Sequence, residues 1–123
     1  MSTYNIDSII DEVVSDIYAA YPELLTRFGE HGKKKCREDN QHHFNTLEVA
    51  YKLNNDQAFL DYTEWLNTLL TSRGMKSEHI IDNYIRIKQA IAGKGLEGKE
   101  DFYHECLSKA IQVLENKAVP EPG

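Results

Sequence analysis

A thiol, a carboxylate, a carboxamide and an imidazole share one face of the run Gly32-Lys33-Lys34-Lys35-Cys36-Arg37-Glu38-Asp39-Asn40-Gln41-His42-His43. If the run is helical, each residue advances about 100°, and Cys36, Asp39, Asn40, His43, Leu47 and Ala50 fall within an arc of roughly 100°. Polar groups at one end of this stripe give way to apolar packing at the other, the pattern of a pocket edge. The lysines before Cys36, the arginine after it and the predicted helix start nearby all favour a thiolate. Glu38 and Asp39 oppose that, and a lone cysteine on a helix face is ordinarily a small packing residue. Cys36, Asp39 and His43 are also ligand types for zinc or iron. A fourth ligand would have to come from elsewhere, and His31, His79 and His104 show no ligand spacing, so no metal is assigned. His42 and His43 point to different faces, so only one of them can share the Cys36 face. No nucleophile and base are paired and oriented by a third group, so turnover is not expected and the chain is not read as an enzyme.

Two further features carry less chemistry. Gly93-Lys94-Gly95-Leu96-Glu97-Gly98 spells G-x-G-x-x-G, but a dinucleotide-binding turn needs a preceding strand, and here a helical pattern precedes it. A flexible helix-to-helix linker is the expectation. Trp65 and the seven tyrosines either line an aromatic pocket or form core with a wet hydroxyl edge, and periodicity does not choose between these.

The elements that must position these groups are all helical. Apolar residues recur at helical spacing in five segments, and none shows the sustained alternation of a strand. The first predicted helix, 6–21, carries Ile6, Ile9, Ile10, Val13, Val14, Ile17 and Tyr21 on one side and stops at Pro22. A short segment, 23–28, leads to Gly29 and Gly32. The second helix covers 33–53 and ends at Asn54-Asn55-Asp56. The third, 57–72, has a seam of Phe59, Tyr62, Leu66 and Leu69 and closes at Arg73-Gly74. Ser77 is the expected N-cap of the fourth, which sets Ile80, Ile81, Tyr84, Ile87, Lys88 and Ile91 along one side. The last, 99–117, presents Phe102, Cys106, Leu107, Ala110, Val113 and Leu114. Residues 1–118 are thus expected to form one domain, with 119–123 a disordered tail.

Composition limits the function classes. A chain of 123 residues with 41% hydrophobic and 28% charged residues suits one domain with a modest core. A formal charge of -6 disfavours nonspecific nucleic-acid binding, and the Lys33–Arg37 cluster is too short to reverse that. No apolar stretch is long enough for a membrane span, and the first ten residues lack a signal peptide's pattern, so a cytoplasmic location with no membrane partner is expected. Cys36 and Cys106 are then expected as free thiols.

The residues from Gly32 to Phe44 resemble the G-K-x-K-C-x-R-D-x-x-Y-Y-L run that opens the chromophore-holding helix of phycobiliprotein subunits. The resemblance extends through Asp61-Tyr62, through Asp82-Asn83-Tyr84-Ile85-Arg86-Ile87-Lys88, and upstream to Val14-Ser15-Asp16-Ile17-Tyr18-Ala19-Ala20-Tyr21-Pro22. The chain looks still more like the shorter bilin biosynthesis-associated globins and like helical segments attached to cobalamin-binding sensor proteins. The resemblance implies a shortened globin-like fold that binds a linear tetrapyrrole such as biliverdin, as carrier, bilin-biosynthesis accessory or light sensor. Bilin-biosynthesis enzymes are the partners it implies. Asp39 matches the aspartate that accepts hydrogen bonds from pyrrole N–H groups, Cys36 the thioether-forming cysteine, Lys35 a cation near the propionates, and Tyr62 a pocket tyrosine. The family's arginine before the aspartate is Glu38 here, with Arg37 one position earlier and about 100° round the helix. His79 stands where an aromatic wall residue is expected, and His42 and His43 replace tyrosines. Such a polar pocket, with Asn40 on the same face, could hold a bilin noncovalently or admit haem with His43 as axial ligand. The family's N-terminal helices have no counterpart, and the apolar surface left uncovered predicts a homodimer. The other alternative is a ligand-free helical regulatory or interaction domain.

Overall fold

The computed structural model of the protein describes residues 5–118, so the expected tail at 119–123 lies outside the described residues. The architecture is all-α: α1 (Ile6–Ala20), α2 (Glu23–Leu53), α3 (Gln57–Ser72), α4 (Ser77–Ile91) and α5 (Glu100–Ala118), with a single 3-10 turn at Leu96–Gly98. No strand occurs among the described residues.

Helix α1 starts because Asn5, in extended conformation, accepts a hydrogen bond from the Asp7 N–H at 2.8 Å, occupying a donor the first turn cannot satisfy itself. Its stripe of Ile9, Ile10, Val13, Val14 and Ile17 is buried across α2 and α4. Each such side chain removed from water contributes about 1.5–3 kcal/mol, which fixes the face that α1 turns inward. Helix α5 packs on α4 and α3 and delivers Tyr103, Cys106, Leu107, Ala110 and Leu114 to the same core.

Helix α2 is broken at Gly29, whose φ of 69° and ψ of -169° lie in a region open essentially to glycine alone. Six residues, 23–28, therefore form a separate turn and a half, and the long arm starts just after the break, earlier than the sequence-predicted 33. Two other features differ from expectation. Ser77 is not the N-cap of α4: Lys76 occupies that position, and Ser77 donates instead to Asn67 Oδ1 at 2.6 Å, tying α4 to α3. The α4–α5 connection is ordered rather than a flexible linker. Leu96 is buried in it, and Glu100 Oε1 accepts from the Gly95 N–H at 2.7 Å, so the loop's own carboxylate occupies the backbone donors. That hydrogen bonding holds the Glu100 carboxyl below its ordinary range. Lys99 and Tyr103 both donate to Glu48, at 2.8 and 2.7 Å, which anchors the start of α5 to α2.

Candidate functional site

The stripe on α2 is real and graded. Cys36 and Asp39 are half-buried, and Asn40, His43, Leu47 and Ala50 are fully buried. Its inner, polar part is closed by the protein's own side chains. Asn40, 0% exposed, forms a reciprocal carboxamide pair with Asn83 of α4: Asn40 Nδ2 donates to Asn83 Oδ1 at 3.1 Å, and Asn83 Nδ2 donates to Asn40 Oδ1 at 2.7 Å. The Asn40 amide also donates to the Cys36 carbonyl at 2.9 Å. Each polar atom of Asn40 is thereby satisfied by protein, as a group taken out of water must be.

His43 is 3% exposed and sits edge-on to two tyrosine rings, Tyr62 at 5.8 Å and Tyr84 at 5.3 Å between centroids. Its Nδ1 lies 2.7 Å from the Tyr62 hydroxyl. Burial holds the imidazole neutral, with its pKa lowered to about 3, and the neutral ring shares one hydrogen bond with the Tyr62 hydroxyl, the donor set by the tautomer. Tyr84, also buried, has its hydroxyl 3.0 Å from Thr63 Oγ1. No buried side-chain nitrogen or oxygen lacks a partner among the described residues.

The outer part of the stripe differs. Cys36 packs at the margin of the core, and burial, reinforced by the Asp39 carboxylate, pushes its thiol up to about 11. The thiolate favoured by the lysines in sequence is therefore not the state of the folded protein at neutral pH. The cations point elsewhere: Lys35 pairs with Glu38 at 3.5 Å, and Arg37 forms an ion pair with Asp11 of α1. Both pairs are largely solvated, so each contributes little. Asp39 is half-buried, and desolvation raises its carboxyl above the usual range against the opposing fields of His42, Lys35 and Arg73. No hydrogen bond or ion pair holds that carboxylate among the described residues; only longer-range charges act on it. Tyr62 stands close enough for the Asp39 charge to help raise its phenol, after the larger effect of burial. Tyr18 of α1 is raised by burial first and by the Cys36 charge second.

On α2, Cys36 and Asp39 thus form a half-buried outer margin, with Asn40 and His43 buried behind them, and the Asp39 charge reaches both the Cys36 thiol and the Tyr62 phenol. His79 is not part of it. Exposed at the start of α4, it accepts a hydrogen bond from the Lys76 N–H at 3.1 Å, so it caps a helix instead of walling a pocket. Trp65 is 59% exposed, with its ring centroid 6.1 Å from that of Tyr62. Both cysteines are free thiols, and no group of three or more potential ligands comes together to hold a metal among the described residues. Four residues that matter here were not singled out as site residues in the sequence: Asn83, Tyr84, Tyr18 and Arg73. Asn83 was discoverable in principle, because it lies between Ile80 and Ile87 at helical spacing and is the polar residue on an apolar side. No helix of the described residues is long and apolar enough to cross a membrane. No protein-family model, curated protein or solved structure matches the chain.

Proposed function

We propose that the protein binds a linear tetrapyrrole such as biliverdin against the rim of α2, with Asp39 as the acceptor of its pyrrole N–H groups, on a shortened globin-like fold. One observation carries this: a half-buried carboxylate has no hydrogen-bond partner of its own, while every fully buried polar neighbour has one. A carboxylate in that setting gains most from a ligand that brings N–H donors, because charge-assisted hydrogen bonds are about twice as strong as neutral ones. Tyr62 and Cys36 flank it with a phenol and a thiol. In this reading the ligand is held noncovalently, because burial and the Asp39 charge disfavour the Cys36 thiolate that thioether formation needs. Lys35 and Arg37, already engaged with Glu38 and Asp11, reach the ligand's propionates only by leaving those solvated pairs. Haem fits the residues less well, because His43 is enclosed by Tyr62 and Tyr84 and its coordination would open the core.

Titration of the purified protein with biliverdin tests the proposal. A sharpened, red-shifted band is expected, weakened and blue-shifted in Asp39→Asn, with colour lost from the protein on a denaturing gel. An unchanged biliverdin spectrum refutes it. The closed, fully satisfied interior favours a second reading, a ligand-free regulatory or interaction domain. It is supported by exposed Leu25, Val49, Leu53, Met75 and Ile85, which also support self-association as a homodimer. Under that reading neither biliverdin nor haem changes its spectrum. As carrier or biosynthetic accessory, the domain would exchange pigment with bilin-biosynthesis enzymes in the cytoplasm.

A further inference from the structure

We infer that Phe28 forms an aromatic wall of the Cys36–Asp39 site, and that Gly32 is the gap that lets it stand there. The inference rests on the tetrapyrrole proposal above and adds the residues that would grip the plane of the pigment. In an unbroken helix, side chains four residues apart have Cβ atoms about 5–6 Å apart. The Gly29 break folds the preceding turn back so far that a Cβ placed on Gly32 would lie 2.5 Å from the Phe28 Cβ and 3.8 Å from the Tyr18 hydroxyl. Gly32 lies one helical turn before Cys36, on the same face of the long arm. Phe28 and Tyr18 therefore converge on the bare stretch of helix that leads to the thiol and then to Asp39.

The state of Phe28 fits a ligand contact better than a core role. Phe44 and Phe59 are buried and Phe102 is half-buried, whereas Phe28 is 52% exposed. Its turn is held to the core through half-buried Leu24, and Leu25 beside it is exposed. The Arg27 guanidinium lies over this ring, 5.1 Å from its centroid, yet about half of Phe28 stays in water, and a flat conjugated molecule that covers the remaining area gains contact in the offset geometry aromatic groups prefer. A side chain at 32 would collide with Phe28 at its Cβ and so displace the whole preceding turn, ring included, and only glycine adopts the backbone of residue 29 without strain.

Biliverdin titration of the wild type and three variants tests this, with circular dichroism and thermal melts recorded for each. Phe28→Ala should bind biliverdin about three- to tenfold more weakly with the wild-type fold retained, Gly32→Ala should lose affinity together with a lowered melting temperature as the 23–28 turn is displaced, and Phe28→Tyr should keep near wild-type affinity. If the wild type binds biliverdin and Phe28→Ala binds it equally well at the same band position, Phe28 is no wall and the inference falls alone. If Phe28→Tyr is as weak as Phe28→Ala, stacking is not the contact and the inference again falls. If the wild type does not bind biliverdin, the functional proposal falls and takes this with it.

Discussion

Acidification should destabilise the protein through a single imidazole. His43 is fully buried, and burial lowers its pKa from 6.5 to about 3, so the folded state excludes a proton that the unfolded chain binds below pH 6.5. The sign follows from that depression. The stability contributed by keeping His43 neutral is complete above pH 6.5 and is lost as pH falls from there toward 3. Each pH unit between those two values costs about 1.4 kcal/mol, so the loss relative to pH 7 is about 2 kcal/mol at pH 5 and about 3 kcal/mol at pH 4. The neighbours do not offset it: Tyr62 and Tyr84 are neutral phenols with raised pKa values, and the field of His42 pushes the His43 pKa the same way as burial does. Glu48, lowered by its bonds to Lys99 and Tyr103, also loses stability in acid, so the wild-type profile alone does not isolate His43. Urea unfolding of wild type and His43→Gln at pH 7, 6 and 5 does. The wild type should lose about 2 kcal/mol more than the variant between pH 7 and 5. Parallel profiles, or an NMR titration placing the folded-state pKa of His43 above about 5.5, would refute the burial argument.

Two further outcomes follow from the rim and from the seam behind it. With its thiol pushed up to about 11, Cys36 should react with iodoacetamide at pH 8 roughly 100-fold more slowly than an ordinary exposed cysteine, and Asp39→Asn should speed it. A rate equal to that of a free thiol would show the sulfur to be ionised after all. The Asn40–Asn83 pair exchanges two neutral hydrogen bonds at about 1 kcal/mol each, so a double-mutant cycle on the alanine variants should give a coupling of about 2 kcal/mol. A coupling under about 0.5 kcal/mol would mean that water replaces the pair without loss.

Much of the framework was legible because helical order is local. The five apolar stripes, the stop at Tyr21-Pro22, the glycine end at Arg73-Gly74 and the whole span of α3 each depend on residues within one or two turns. Positions slipped where a side-chain hydrogen bond or a burial that periodicity does not register intervened. Asn67 drew Ser77 away from capping, and Glu100 with buried Leu96 turned an expected linker into an ordered turn. The α2 stripe itself was readable to the residue, since Cys36 through Ala50 do share a face graded from half-buried to buried.

What that face meets was not readable, because a periodic pattern says which side is covered and not by what. Sequence alone determined that Cys36, Asp39, Asn40 and His43 stand together on α2. Tertiary packing decided that Asn83 closes over Asn40, that Tyr62 and Tyr84 enclose His43, and that Asp39 is left without a partner. It also weighed the opposing charges at Cys36, which the flanking lysines and acids had left in balance, toward the thiol. Neighbouring lysines act through solvent at high dielectric, whereas burial between helices removes the thiolate's hydration, and at this position desolvation is the larger effect.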